Sequence, residues 1–473
     1  MKKTCLTFLL LLSLTAAFAQ QSTKHRVLVL TDIEADPDDA QSLIRFLLYA
    51  NEWDVEGLIA TTSIHQKTFV APESIHAILE AYRQVHPNLL LHEENFPNIE
   101  NLTKVVKKGL PVYGMEGVGE GKDSEGSEWI IKVLEKNDPR PIWISVWGGP
   151  NTLAQALWKI NKTKSTAEAQ KLYDKIRIYT ISDQDDSGPW IRNTFPSIFF
   201  VVTPGYNYGN ATWRGIASNS PGSDLESVSK DWLANHIQQG HGPLGAAYPD
   251  VAYGMEGDTP AYLGLINNGL NDPERPNFGG WGGRYELYLP EFTDSNIGAW
   301  PRPHWPKDKP ETRAIWTNAT DSIVSLLDKK PYGGNLETIW RWRTEFQNDF
   351  AARMDWTIKP FKEANHPPLV KLAHPEQFTV NSGEQFYLSA AGTSDPDGDS
   401  LSYLWFQYKE AGTYQGNVSF RPYASNLYRL PVTAPQVSKE EKIHFILKVT
   451  DKGSPNLSRY KRVIVTVVPQ AAF

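Results

Sequence analysis

The chain has 473 residues, a formal net charge of −7 and a pI of about 5.9. A mildly acidic chain gives no electrostatic reason to expect a nucleic-acid partner, and a chain of this length predicts two domains. Its single cysteine, Cys5, lies in an N-terminal leader, which excludes a small disulfide-stapled scaffold and favours a large, well-cored protein.

The leader comes first in chain order. Lys2 and Lys3 supply the positive start, residues 6–14 the apolar core, and Ala17-Phe18-Ala19 a small-residue cleavage site before Gln20. Residues 1–19 therefore read as a signal peptide, and the mature protein is expected to be secreted or periplasmic. The apolar run is too short to remain as an anchor, and no later segment is long enough to cross a membrane.

Next, Val27-Leu28-Val29-Leu30 reads as a buried parallel strand, and residues 40–50 as a helix with Leu43, Phe46, Leu47 and Ala50 at helical spacing. Between them lies Thr31-Asp32-Ile33-Glu34-Ala35-Asp36-Pro37-Asp38-Asp39. Five carboxylates thus crowd a strand-to-helix turn, the place where open α/β sheets bind ligands. A helix cap needs only one or two of them. So many hard oxygen ligands suit Ca²⁺ or Mg²⁺.

Strand-like runs follow at 55–62, 141–146, 176–181 and 197–202, with helices at 73–84 and 152–160. The alternation over 24–356 predicts an α/β domain with a mainly parallel sheet. The pattern then changes. Lys359-Pro360 and His366-Pro367-Pro368 read as a linker, and strand candidates at 377–380, 385–390, 401–408, 444–450 and 461–468 predict an immunoglobulin-like β-sandwich over 366–473. The turn Asp395-Pro396-Asp397-Gly398-Asp399 is explained by turn chemistry, with Ca²⁺ binding as the alternative. Sixteen tryptophans and twenty tyrosines add flat faces with polar edges, which suit sugar rings.

The strand, acidic turn and helix resemble the signature of the nucleoside hydrolase superfamily, an Asp-x-Asp-Pro-Gly-x-Asp-Asp run. Asp32 and Glu34 match its first two acidic positions and Asp38 and Asp39 its closing pair, while Ala35-Asp36 replaces the Pro-Gly step. Gly57-Leu58-Ile59-Ala60-Thr61-Thr62 resembles the second strand. Trp147-Gly148-Gly149-Pro150-Asn151-Thr152 resembles the loop whose first carbonyl ligates metal. Glu256-Gly257-Asp258-Thr259-Pro260 resembles the segment whose aspartate completes the site, with Gly257 where the family has a leaving-group histidine. Asp36-Pro37-Asp38-Asp39, Ser182-Asp183-Gln184-Asp185-Asp186-Ser187-Gly188-Pro189-Trp190, Phe278-Gly279-Gly280-Trp281-Gly282-Gly283-Arg284-Tyr285 and the all-β C-terminus are similar to a branch of secreted bacterial proteins described as cellulose-binding and nucleoside hydrolase-like.

The resemblance implies a Ca²⁺ site of Asp32, Asp39, Asp258 and the Trp147 carbonyl, with Asp38 on a sugar hydroxyl and Glu34 as the general base. Glycosidic cleavage needs such a carboxylate to activate water. For the leaving-group acid, His241 in a glycine-flanked loop is one candidate, and His65 could reach the same pocket. Asp183, Asp185 and Asp186 cluster at another strand end beside Trp190 and Arg192 and could form a second polar wall with Trp190 stacking on a sugar, a solvated acidic loop being the alternative. Trp281 and Arg284, flanked by glycines, and the group Tyr206, Tyr208 and Trp213 are two aromatic sets, at least one of which is expected to line the cleft. The expected ligand is a glycoside, nucleoside or polysaccharide. The leading reading is a Ca²⁺-dependent hydrolase of a glycosyl bond. The rivals are a non-catalytic carbohydrate-binding protein on the same fold and a scaffold that contacts partners through the sandwich. An oligomer is compatible with the family, although no residue in the sequence displays an interface.

Overall fold

The computed structural model describes residues 24–205, 208–291, 310–418 and 427–470. The leader and Tyr206 lie outside the described residues.

The α/β part is built on an eight-stranded sheet: β1 (His25–Thr31), β2 (Trp53–Ala60), β3 (Val106–Lys108), β4 (Ile142–Val146), β5 (Ile176–Thr180), β6 (Phe199–Val202), β7 (Tyr285–Tyr288) and β8 (Ile315–Asn318). The spatial order is β3-β2-β1-β4-β5-β6-β8-β7, all parallel except β7, which runs antiparallel to β8. β1 is apolar on both faces because both are covered: Val27 and Val29 enter one core, Leu28 and Leu30 the other. From β1 the chain moves outward through β2 and β3, then returns to β4 on the opposite side. The crevice between the carboxyl ends of β1 and β4 is therefore the switch point, where parallel sheets place ligands.

Helix α1 (Asp38–Leu48) follows β1, α2 (Pro72–Leu89) follows β2, and α3 (Asn151–Thr163) follows β4. The predicted 73–84 and 152–160 helices each extend further. Among the described residues no helix is long and apolar enough to cross a membrane.

A hairpin of β9 (Asp321–Val324) and β10 (Pro331–Gly334) precedes the sandwich. Its large sheet joins β11 (Gln377–Asn381), β13 (Ser402–Gln407), β15 (Glu441–Thr450) and β16 (Ser458–Val468); its small sheet joins β12 (Gln385–Ser389) to β14 (Arg429–Thr433). Val380, Leu388, Trp405, Leu430 and Phe445 from both sheets fill one core. Sequence patterning missed β14, a short strand that starts beside a stretch outside the described residues. In the turn, Asp395 Oδ1 accepts the amides of Asp397 and Asp399 at 2.9 and 3.0 Å. Asp397 itself grips the linker, 3.0 Å from His366 Nδ1.

The two parts share a core instead of hanging from a free linker. Tyr408, Ile446 and Tyr460 of the sandwich belong to the same buried cluster as Trp281, Phe346 and Trp342. Arg459 pairs with Asp349 at 2.5 Å, and Arg462 donates to the Gly279 carbonyl at 2.9 Å.

Candidate metal centre and cleft

α1 carries Asp38, Gln41, Ser42 and Arg45 on one side, a polar stripe at helical spacing within an otherwise apolar helix. Gln41, Ser42 and Arg45 are buried and Asp38 half-buried because another polar segment packs on the stripe. Gln41 Oε1 accepts the Glu256 amide at 3.0 Å, and Arg45 Nε lies 2.6 Å from Glu256 Oε2. Tyr248 and Thr259 complete the Glu256 carboxylate at 2.7 and 3.0 Å. This ion pair fixes the segment that delivers Asp258, and its Glu256 adopts a left-handed φ of 50°. Arg45, Glu256 and Gln41 were not singled out from sequence, although the polar stripe was the available signal.

Asp38, Asp39 and Asp258 come together so that one carboxylate oxygen from each lies within 4.8 Å of the others. Asp39 and Asp258 are buried, and Asp258 Oδ2 has no hydrogen-bond partner. Thr31 Oγ1 donates to Asp39, and Asp38 accepts the Gly257 amide. Asp32 lies alongside, buried and hydrogen-bonded by Ser63. Burial first, then the neighbouring carboxylates, pushes Asp39 and Asp258 well above the ordinary carboxylate range. Asp38 is also raised well above it, by burial and then by a hydrogen bond with Asp36, and Asp32 is pushed up to about 6, chiefly by burial. Buried carboxylates with no cation of their own repel one another. A divalent cation fits this donor set, which is all oxygen and holds an orphaned buried acceptor. Glycines make the room: a methyl group at Gly148 would fall 2.7 Å from Asp32 Oδ1, and one at Gly257 would fall 2.5 Å from Asp38 Oδ2.

The remaining candidates divide sharply. The Trp147 carbonyl sits at the end of β4 and accepts from Gln184 Nε2, while its indole is buried and donates to Ser145 at 2.9 Å. A carbonyl has a second lone pair, so metal ligation stays open to it. Glu34 occupies the exposed lip of the acidic turn at φ 83°, outside the three-carboxylate group. His65 is exposed beside the cleft, its Nε2 3.2 Å from the Tyr208 hydroxyl.

His241 is not brought to the carboxylates. It is buried against the helix Arg343–Asp355, with Nε2 3.2 Å from Asp355 Oδ1, so it serves packing there. Asp183 and Arg192 satisfy each other in a bidentate pair at 2.7 and 2.9 Å, with Glu311 on the same guanidinium. Trp190 packs on Phe195 at 5.4 Å beside the other core cluster. None of these three forms the expected second wall. Trp281 is fully buried against Tyr460, and Arg284 lies 2.7 Å from Asp321 at the junction with the sandwich. The glycine-rich segment is thus an inter-domain seam, because glycines let the two parts approach closely.

Tyr208 and Trp213 are the aromatic group at the cleft. Trp213 stands on a helical turn, Thr212–Ile216, tied to strand ends by Thr212, which donates to Asn318 Oδ1 at 2.8 Å. Its Nε1 donates to Ser182 at 3.1 Å, and its ring lies 2.9 Å from where a Gly257 methyl would sit. A leaving-group histidine at position 257 would collide with this indole.

One further acid lines the switch point. Asp185 is fully buried, its Oδ1 accepting the Ser187 amide at 2.8 Å and its Oδ2 unpartnered. Burial raises its pKa to about 7.

A family model described as "Cellulose-binding Sde182, nucleoside hydrolase-like domain" matches residues 26–285, and one described as "Cellulose-binding protein Sde0182, C-terminal domain" matches residues 385–467. A solved structure titled as a nucleoside hydrolase-related hypothetical protein from Saccharophagus degradans, associated with carbohydrate metabolism, is 38% identical, with a TM-score of 0.77 over 94% of this chain and 100% of that one. The effector protein XOO4466 is 10% identical over 71% of this chain and 94% of its own, and its TM-score of 0.30 carries no argument. No curated protein matches the sequence. With more than half of its length matched by the first model, and that model's partner domain following in order, the chain belongs to the cellulose-binding, nucleoside hydrolase-like family.

Proposed function

We propose that the protein binds a glycosyl unit of a polysaccharide through a calcium-centred pocket at the β1/β4 switch point, after export from the cytoplasm. The carrying observation is the buried, unpartnered Asp258 Oδ2 beside Asp38 and Asp39. Asp39 and Asp258 would hold the cation, with Asp32 and the Trp147 carbonyl as further ligands and Asp38 left to accept a sugar hydroxyl. A calcium ion supplies coordination for vicinal hydroxyls and lowers the pKa of a ligated water. Thr31 orients Asp39 toward that task, and the Arg45–Glu256 pair holds the Asp258 segment in register. The family's description as cellulose-binding supports a polysaccharide as the ligand.

Binding is favoured over cleavage because position 257 has no side chain and no room for one, and because His241 is engaged elsewhere. One observation favours a hydrolytic second reading: the exposed Glu34 carboxylate has no hydrogen bond or ion pair with the described residues and could take a proton from water.

Calorimetric titration of Ca²⁺ into chelator-treated mature protein tests the pocket. Wild-type protein is expected to bind and Asp39→Ala to lose binding; full affinity in Asp39→Ala would overturn the site. Reducing sugar released from cello-oligosaccharides by wild type but not by Glu34→Gln would decide for hydrolysis.

A further inference from the structure

We infer that Trp213 and Tyr208 form a stacking platform for a pyranose ring adjoining the carboxylate pocket, so that a β-linked glucan is gripped at the α/β domain and not on the sandwich. This deepens the pocket reading and rests on it.

Three observations carry the inference. First, the platform abuts the pocket: Gly257 lies between them, since a methyl group there would meet Asp38 Oδ2 at 2.5 Å and the Trp213 ring at 2.9 Å. A sugar whose hydroxyls face Asp38 therefore has the indole beside it. Second, the rings are graded in exposure. Trp213 and Tyr208 are half-buried and His65 is exposed, and the two larger rings meet at 66° with centroids 5.7 Å apart. Two half-buried rings at that angle offer aromatic surface against which an apolar sugar face can settle while its hydroxyls stay wet. Third, the platform is held rigid before any ligand arrives. The Trp213 indole is fastened to Ser182, and its turn to Asn318 through Thr212. A stacking surface already in place costs little ordering entropy when it binds.

The rival surface lies on the sandwich. Among its described residues Tyr387 and Tyr428 are the exposed large aromatics, and the Arg429 guanidinium lies over the Tyr387 ring at 4.1 Å. Trp405, Tyr408 and Tyr460 are buried.

The experiment is calorimetric titration of cellohexaose, and separately of Ca²⁺, into the full mature protein and its variants. Trp213→Ala and Tyr208→Ala are each expected to weaken cellohexaose by about tenfold, with Ca²⁺ affinity unchanged, while Trp213→Phe retains most of the affinity and Tyr387→Ala/Tyr428→Ala retains all of it. Phe keeps a stacking face, so its retention separates the platform from a folding defect. Undiminished cellohexaose binding in both single alanine variants would overturn the platform and leave the calcium pocket standing. Loss confined to the Tyr387→Ala/Tyr428→Ala protein would overturn it in favour of the sandwich. Adenosine binding more tightly than cellohexaose, and lost in Trp213→Ala, would overturn the glycan assignment. If wild type bound no Ca²⁺ yet Trp213→Ala still lost cellohexaose tenfold, the pocket would fall and the platform would hold.

Discussion

Two buried aspartate environments in this molecule are built from the same residue type and come out opposite. At the inter-domain seam, burial pushes Asp321 up, but Arg341 and Arg284 outweigh it and hold the carboxyl below its ordinary range, with the Tyr408 hydroxyl at 2.6 Å. At the switch point, Asp38, Asp39 and Asp258 are raised, because among the described residues no cationic side chain offsets their burial and mutual repulsion. The seam is satisfied from within and is structure. The pocket leaves an acceptor over, which is what a site for an outside cation requires.

The largest test of that contrast breaks the seam. Asp321→Ala leaves Arg284 and Arg341 buried without their partner and takes a hydrogen bond from Tyr408. A loss of roughly 3–5 kcal/mol is expected by denaturant unfolding, and a loss below about 1 kcal/mol would show that the seam is not what joins the domains.

The same kind of substitution in the pocket should act in the other direction. In chelator, Asp258→Asn removes one member of a repelling set and is expected to raise stability by about 1 kcal/mol. With Ca²⁺ at a hundred times its dissociation constant, wild type should gain about 2.7 kcal/mol and the variant close to nothing. Thermal unfolding with and without Ca²⁺ reads both signs at once. A destabilised apo variant would mean that Asp258 is satisfied by its own chain after all.

Asp185 gives the smallest and most pH-specific effect. Its folded pKa, about 7, lies above the unfolded value, so the folded state binds more protons between roughly pH 4 and 7. Its contribution therefore becomes less favourable as pH rises through that window. Asp185→Asn should flatten this part of the stability–pH curve and unfold at higher temperature than wild type at pH 7, with little difference at pH 4. Parallel curves for the two proteins would refute the assignment.

Most of the α/β fold was legible in the sequence because it rests on local patterns. The apolar run at 27–30 became β1, and the helical spacing after Asp39 became α1. The acidic turn was legible as a cluster too, since five carboxylates in a strand-to-helix turn have few structural uses, whereas Asp258 was named only through the family resemblance. The misplaced residues share a cause. Trp281, Arg284, Arg192 and His241 stand in motifs that look chemical, and each finds a partner far along the chain, Tyr460, Asp321, Glu311 and Asp355 in turn, while Asp183 is taken up by Arg192 itself. A polar or aromatic residue beside glycines reads the same whether it meets a ligand or another part of the protein.

The sequence by itself determined the alternation of strands and helices, the switch from helical to all-β patterning near residue 360, and the acidic turn between β1 and α1, because periodicity and charge density act over a few residues. Only the tertiary structure decided that Asp258 completes the carboxylate group, that Trp213 stands beside it where Gly257 leaves room, and that the glycine–tryptophan segment is a domain seam. Those outcomes depend on contacts between residues tens to hundreds of positions apart, and on whether each buried charge is answered by the chain itself or left for something else to answer.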